Sequence, residues 1–339
     1  MIVPGPPACI CIIRVDETYL ENGIVLASVP LSLYFTEEGN EMAESIKSTN
    51  QREHCARRRT PTLNRQNRKA YTTAVARQNK VKHLVIENEY QSVGPKACMN
   101  ITKLRRLELA ASVISIGENA FRGCTQLVSV NMPDTVLEIG EAAFMECRKL
   151  REINLPKALK VIRPRTFKLC RALKHIELPE SLEDIGENAF IDCDNLETVD
   201  IPQQIERISF RTFCGCKHLQ KVTLPPELKI IGREAFVNCS FQSVALPDGL
   251  VTIGDSAFLK CKCLESIHIP ESVRRIEKWA FHGCPRLKKV VLLHDPEVMG
   301  DWLFNRGNTV VHCKKNSKVD AYCKEYQYKT EYVDGLVRK

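Results

Sequence analysis

Apolar positions recur along most of this chain with a period of 23 residues. Each repeat carries a Phe, and in the first eight repeats a Cys follows three residues later. One step is 22 residues, because Phe241 follows Cys239 one place early and takes the position that Leu has elsewhere. The Phe positions are 121, 144, 167, 190, 213, 236, 258, 281 and 304, and the Cys positions are 124, 147, 170, 193, 216, 239, 261 and 284. A fixed period of this length predicts a repeat array.

The repeated unit reads I-G-x-x-A-F-x-x-C-x-x-L-x-x-V-x-I-P, as in residues 185–202. Alternation of apolar and polar residues over 196–201 predicts a half-buried strand, and Pro202 ends it because proline cannot donate to a ladder. A second short apolar segment lies at 182–185. Gly186 then permits a sharp entry into one turn of α- or 3₁₀-helix holding Ala189 and Phe190. Such units predict a slim solenoid whose coils share one core.

This unit resembles the BspA-type leucine-rich repeat, and the resemblance covers about residues 71–313. It implies a repeat solenoid, a leucine-rich-repeat-like right-handed coil of about 11 units with short parallel β-strands and one-turn helical or 3₁₀ segments. Eight units are full, and degraded copies flank them, as capping repeats do. Members of this family are binding or surface proteins and rarely enzymes.

Three regions follow from the extent of the repeat. Residues 1–70 are predicted to be a non-repetitive, disordered leader, residues 71–313 the solenoid, and residues 314–339 a C-terminal cap. Ser317 and Asp320 form a candidate capping box that opens a short helix over 321–326. The tail also supplies aromatic side chains that are expected to cover the open end of the core: Tyr322, Tyr326, Tyr328 and Tyr332.

The net charge of +8 is concentrated in one short segment. Residues 1–45 carry −6, residues 46–83 carry +10, and the remainder carries +4. A basic arm lies in the second segment and consists of Arg57, Arg58, Arg59, Arg65, Arg68 and Lys69. It indicates either a solvated leader, which we favour, or a targeting segment for the nucleus or an anionic partner. No aromatic residue interleaves it, which disfavours stacking on single-stranded nucleic acid.

The chemistry-bearing residues do not form a catalytic or metal-binding pattern. The eight ladder cysteines are predicted to pack as small buried hydrophobes rather than as disulfides. The Cys-x-Cys pairs at 214/216 and 261/263 lack the second ligand pair of a zinc site. The eight His are scattered, and no phosphate-binding or metalloprotease motif is present. We therefore predict a non-enzyme without cofactor or metal.

The outward strand positions form the predicted partner-binding face. They are polar, mixed in sign and free of Trp, Tyr and Phe, so they offer no strong anchor for binding. The candidate residues are Arg151, Glu152, Asn154, Lys174, His175, Glu177, Glu197, Thr198, Asp200, Gln220, Lys221 and Thr223. The predicted function is a scaffold that binds another protein through this extended surface. Two alternatives stay open: a cell-surface adhesin or antigen, and an intracellular regulator that the basic arm directs to the nucleus or to nucleic acid.

No export or membrane signal stands out. The longest apolar run covers residues 24–35 and is broken by Pro30, whereas a membrane-spanning helix needs about 20 residues. The stretch before it is acidic where a signal peptide would be basic. We predict a cytoplasmic protein without membrane insertion, with nuclear or cell-surface localisation as alternatives.

Overall fold

The computed structural model describes residues 82–88 and 90–333. These residues form a parallel β-solenoid of about 11 turns that lie about 23 residues apart, which confirms the predicted solenoid. We call each turn a coil. The leader and its basic arm lie outside the described residues.

One sheet follows the L-x-x-V-x-I strands, and we call it the first sheet. All its pairings are parallel, and equivalent residues of neighbouring coils face each other, as Thr198 faces Lys221. It occurs in three segments, and a single bridge pairs His175, in the coil before the second segment, with Thr198. Its strands are β1 (His83–Ile86), β3 (Arg106–Leu109), β5 (Ser129–Asn131), β7 (Glu152–Ile153), β10 (Thr198–Asp200), β12 (Lys221–Thr223), β15 (Ser266–His268), β17 (Lys289–Val291), β19 (Val310–Cys313) and β20 (Lys329–Tyr332).

The second sheet follows the short apolar segments before the Gly position of each repeat, which holds Arg163, Ser209 and Glu277 in three coils. Here the register is also 23 residues, except that Ile230 faces Thr252 across the 22-residue repeat. Its strands are β2 (Ser92–Val93), β4 (Ser115–Ile116), β6 (Glu138–Ile139), β8 (Val161–Ile162), β9 (Asp184–Ile185), β11 (Arg207–Ile208), β13 (Ile230–Ile231), β14 (Thr252–Ile253), β16 (Arg275–Ile276) and β18 (Val298–Met299). Thus the short repeat keeps the second sheet intact, while residues 242–246 form no strand in the first.

The segment after each Gly differs from the predicted helical turn. In the described coils it is a run of reverse turns in which two residues four positions apart have positive φ, as at Asn188 (58°) and Asp192 (57°). The amides of these residues and of Phe190 donate to carbonyls of the next coil at 2.8–2.9 Å, whereas Ala189 and Cys193 donate within their own coil. A helix would direct every amide along its own axis. In this segment alternate amides donate to the neighbouring coil instead.

Close packing of coils, rather than backbone freedom, explains the repeated Gly. A Cβ placed on Gly186 would lie 2.6 Å from the backbone nitrogen of Pro164, and one on Gly140 would lie 2.5 Å from that of Glu118. Neither residue has the positive φ that favours glycine. The predicted role of Gly186, a sharp entry into a helical turn, is therefore wrong, and close approach of the neighbouring backbone is the reason for it.

The interior is a column of stacked Phe rings. The nine ladder Phe are fully buried, with centroid separations of 5.2–5.9 Å and interplanar angles of 20° or less between neighbours. Phe241 fills the Leu position of the short repeat and contacts Phe236 and Phe258 edge-on. A single coil cannot bury a ring on both faces, so the stability of each coil depends on its neighbours.

The ladder cysteines are buried, and each thiol has a specific hydrogen-bond partner. Each Sγ donates to the carbonyl oxygen at the Phe position of the preceding coil, at 3.1–3.4 Å, as Cys193 does to Phe167. In the first of these contacts the acceptor is Cys98, which occupies the Phe position of a degraded repeat. Many of these carbonyls also accept the amide of the Cys in their own coil, as Phe167 does from Cys170. Cys therefore supplies a donor that an alanine of similar size would lack.

The C-terminal tail closes the end of the core. Helix α1 (Lys318–Glu325) begins three residues before the predicted start, and the Ser317 hydroxyl accepts from the Asp320 amide as its N-cap. Tyr322 and Tyr328 are buried, and their hydroxyls bond backbone groups of the last coil at Gly300, Leu303 and Phe304.

Candidate binding surface

The twelve predicted face residues lie together on the outward side of the first sheet, in four consecutive coils. Eleven are exposed and Glu197 is half-buried. Sheet register sets Thr198 opposite Lys221 and Asp200 opposite Thr223. The backbone of the solenoid thus presents these side chains as one continuous surface.

Contacts within this surface run between neighbouring coils. The Nζ of Lys174 lies 3.3 Å from a carboxylate oxygen of Glu197, and the His175 ring nitrogen lies 3.7 Å from the other oxygen. The Thr223 hydroxyl donates to the Asp200 carboxylate. Exposed pairs of this kind contribute about 0–1 kcal/mol, so a partner can exchange them for its own contacts at little cost.

The charges on this face are sorted across the strands. We define the amino-side band as the turn after each Cys plus the first two outward strand positions, over residues 102–289. Its basic residues are Lys103, Arg105, Arg106, Arg148, Lys149, Arg151, Arg171, Lys174, Lys217, Lys221, Lys262, Arg286, Lys288 and Lys289, and its acidic residues are Glu152, Asp194, Glu197 and Glu265. All fourteen basic side chains are exposed.

The opposite side of the same face is acidic. We define the carboxyl-side band as the third outward strand position plus the turn after each Pro, over residues 108–295. Its acidic residues are Glu108, Asp134, Glu177, Glu180, Asp200, Glu227, Asp248, Glu271 and Asp295, and its basic residue is Lys157. All ten are exposed. Because the strands are parallel, like positions stack, so each band follows the solenoid; the amino-side band has no basic residue at 125–129, 194–198 and 240–243, and the carboxyl-side band has only Lys157 at 154–158.

The face was predicted to be mixed in sign, which is correct for its total composition but does not include the sorting of charge across the strands. A total charge taken over the whole face hides the difference between one position of the repeat and another. Aligning the repeats by their Phe would have separated the fourteen basic residues from the nine acidic ones.

A shallow open depression of about 390 Å³ lies over β3, β5 and β7 on this face. Its polar lining includes Arg106, Glu108, Asn131, Glu152 and Asn154. The depression suits surface contacts, since sites that enclose small molecules are concave and mostly apolar.

Two exposed tryptophans lie away from this face and were also missed. Trp279 and Trp302 occupy the same repeat position in neighbouring coils, are 43% and 38% exposed, and have φ of 57° and 54°. Lys278 lies over the first ring, and Arg306 lies over the second. Trp302 also contacts Tyr326 edge-on, so it belongs in part to the C-terminal cap.

The titration behaviour of the thiols reflects their burial. Burial raises the pKa of the Cys124 thiol to about 12 and that of Cys193 well above its usual range. In the part of the chain that the structure describes, no group of three or more His, Cys, Asp or Glu side chains could hold a metal ion. Within those same residues, no helix is long and apolar enough to cross a membrane.

Comparison with known proteins agrees with this architecture. The profile of the BspA type leucine rich repeat region matches residues 91–209 and 183–311, with six copies. No curated protein sequence matches the chain.

Solved structures of leucine-rich repeat proteins are similar to the chain. A T. pallidum leucine rich repeat protein is 33% identical over 47% of this chain and 77% of its own, with a TM-score of 0.46. A leucine rich cell surface protein from Faecalibacterium prausnitzii is 24% identical over 62% and 73%, with a TM-score of 0.38. The pneumococcal vaccine antigen PcpA is 17% identical over 76% and 80%, with a TM-score of 0.46. Because the profile matches span more than half of its length, the chain belongs to the BspA-type leucine-rich repeat family.

Proposed function

We propose that this protein is a non-enzymatic scaffold that binds another protein through the outward face of the first sheet. The observation that carries the proposal is the pair of exposed, oppositely charged bands along that face. A folded array gains nothing from sorting exposed charges in this way, because isolated surface pairs stabilise a protein little. Sorted charge does raise the association rate and the selectivity for a complementary partner.

The solenoid core makes such a surface rigid. The stacked Phe column and the parallel register fix the spacing of the charges from coil to coil. This spacing is about 4.8 Å along the solenoid axis. Many weak polar contacts then act together without the partner having to order the surface first, which lowers the entropic cost of association.

The test combines cross-linking with two matched triple variants of the full chain. Cross-linking mass spectrometry in cells identifies the bound protein. Binding is then measured with the face variant Lys149→Glu, Arg151→Glu, Lys174→Glu, and with a control variant on the second sheet, Lys160→Glu, Lys229→Glu, Arg275→Glu. Both variants change the net charge equally at exposed positions.

We expect the face variant to weaken binding at least tenfold and the control to retain it. Equal losses in the two variants would mean that only net charge matters, and a loss confined to the control would move the contact to the second sheet. Circular dichroism and urea unfolding of both variants establish that the solenoid is intact.

The two alternatives from the sequence stay predictions. Surface labelling of intact cells tests the adhesin or antigen role, since only an exported chain would react. Deleting residues 46–70 tests targeting by the basic arm, since unchanged localisation would remove any role for Arg57, Arg58 and Arg59 in it.

A further inference from the structure

The charge pattern of the first-sheet face is complementary to itself. Its amino-side band is basic and its carboxyl-side band is acidic, and both are exposed on the same side of the solenoid. A second copy of the chain therefore presents the charges that this face would attract. The following inference rests on the proposed function, because it names a partner for the same face.

Two faces can pack against each other about either of two twofold axes, and only one of these brings opposite charges together. If two faces pack about a twofold axis parallel to the strands, the basic bands meet each other and repel. If the axis runs parallel to the solenoid axis, the strands of the two copies are antiparallel, and each basic band meets the partner's acidic band. Equivalent coils then face each other, and the basic amino-side band as a whole meets the acidic carboxyl-side band, although the coils at 148–157 and 194–200 each bring like charges together.

The middle of the face is compatible with this axis. In this arrangement the second outward strand position lies near the twofold axis, where each residue faces the same residue of the other copy. A charged residue there would face a like charge. Five of the nine described coils have no Lys, Arg, Asp or Glu at this position, namely those with Ser129, His175, Thr198, Ser243 and Ser266. The other four have Arg106, Glu152, Lys221 and Lys289, whose side chains are long enough to turn away from the axis.

We propose that the face binds a second copy of this chain, face to face, about a twofold axis parallel to the solenoid axis. A contact of this type is closed, since the same patch is used by both subunits. The other way to pair the bands, edge to edge with all copies in one orientation, would leave unsatisfied bands at both ends and continue without limit.

The strength of the dimer should depend steeply on salt. The face lacks aromatic residues, so exposed charges supply most of the attraction, and their range shrinks from about 10 Å at 0.1 M salt to about 3 Å at 1 M. We expect the association constant to fall by about tenfold or more over that interval. A dimer held by buried apolar surface would be insensitive to it.

The experiment uses two complementary variants of the full chain. The first reverses part of the basic band in two coils, with Arg171→Glu, Lys174→Glu, Lys217→Glu and Lys221→Glu. The second reverses the acidic band in the same two coils, with Glu177→Lys, Glu180→Lys and Glu227→Lys. Each variant alone then has like charges on both sides of the affected coils, whereas the two variants mixed are again complementary.

Sedimentation velocity at low salt measures the outcome. We expect the unmodified chain to dimerise, each variant to be monomeric, and the equimolar mixture to form a heterodimer. A chain that stays monomeric at low salt would overturn the proposal, as would a mixture no more associated than its parts. Species that keep growing with concentration would overturn the twofold geometry.

The axis has its own test. In the proposed dimer Thr198 lies beside the same residue of the other copy, so a Thr198→Cys variant should cross-link to itself with a short reagent. Glu206→Cys, exposed on the opposite side of the solenoid, is the matched control and should not. Self cross-linking of the control alone would place the contact elsewhere. If the chain proves monomeric while the face triple variant still loses another protein partner, the dimer fails and the proposed function stands.

Discussion

Alkaline pH should unfold this solenoid through its thiol column. Eight buried thiols have pKa values raised by burial: Cys98, Cys124, Cys147, Cys170, Cys193, Cys216, Cys239 and Cys261. In the unfolded chain each thiol ionises near pH 8.5. Below that pH both states keep the proton and stability is unaffected. Above it the unfolded state loses protons that the folded state still holds, so stability falls as pH rises.

The magnitude follows from the number of thiols. Each contributes about 1.4 kcal/mol for each pH unit above its unfolded pKa, until its folded pKa is reached. Eight thiols together give a slope of about 11 kcal/mol per pH unit. A typical domain has about 5–15 kcal/mol in total. The array should therefore unfold within one to two pH units above 9.

Urea unfolding from pH 7 to 10 in the presence of a phosphine reductant measures this slope. The matched variant carries Cys193→Ala and Cys216→Ala, which removes two neighbouring thiols and leaves every Lys and Tyr in place. It should be less stable at pH 7, because each substitution removes a hydrogen bond to a Phe carbonyl, yet its slope should be smaller by about 3 kcal/mol per pH unit. Equal slopes in the two proteins would refute the reasoning.

Three further predictions concern single positions. Phe190→Ala should lower the free energy of unfolding by about 3–5 kcal/mol, because its ring stacks on Phe167 and Phe213 at 5.4 Å. Chemical denaturation measures this loss, and the control Ile191→Ala, at a half-buried position, should lower the free energy of unfolding far less. Gly186→Ala should destabilise the solenoid through the clash with Pro164, whereas exposed Lys260→Gly, at a φ of 59°, should not; a reversed order in thermal melts would contradict the close-packing argument. The Lys324 ammonium holds the pKa of Asp320 below its usual range, so the C-terminal cap should loosen only as pH falls below about 4. Hydrogen exchange of α1 should show this pH dependence in the native chain, and Asp320→Asn should abolish it.

The repeat pattern predicted the parts of the fold that depend on residue type alone. Phe190, Cys193 and Leu196 are buried because apolar residues at a fixed period must stack inward, and Pro202 follows the strand as expected. The turn segment could not be read in the same way. Its two positive-φ positions depend on amides that bond the next coil, and single-sequence propensity reports only bonds within a segment.

The binding face was predicted in position but not in organisation. Alternation located Glu197, Thr198 and Asp200 on the outside correctly. Sorting of charge across the face depends on all strands being parallel and in register, which is a property of the assembled sheet. The thiol donors were hidden for a related reason, since the acceptor of Cys193 lies 26 residues earlier at Phe167.

The 22-residue repeat shows how this protein can change length. Loss of one residue beside Phe241 removes one strand of the first sheet, yet the next coil regains the same register in both sheets. Errors are thus confined to the coil that contains them, and duplication or loss of whole 23-residue units would preserve every type of contact. In evolutionary terms, gene-level copying of one unit would lengthen both charged bands by one step, so that binding strength could be adjusted without redesigning the fold.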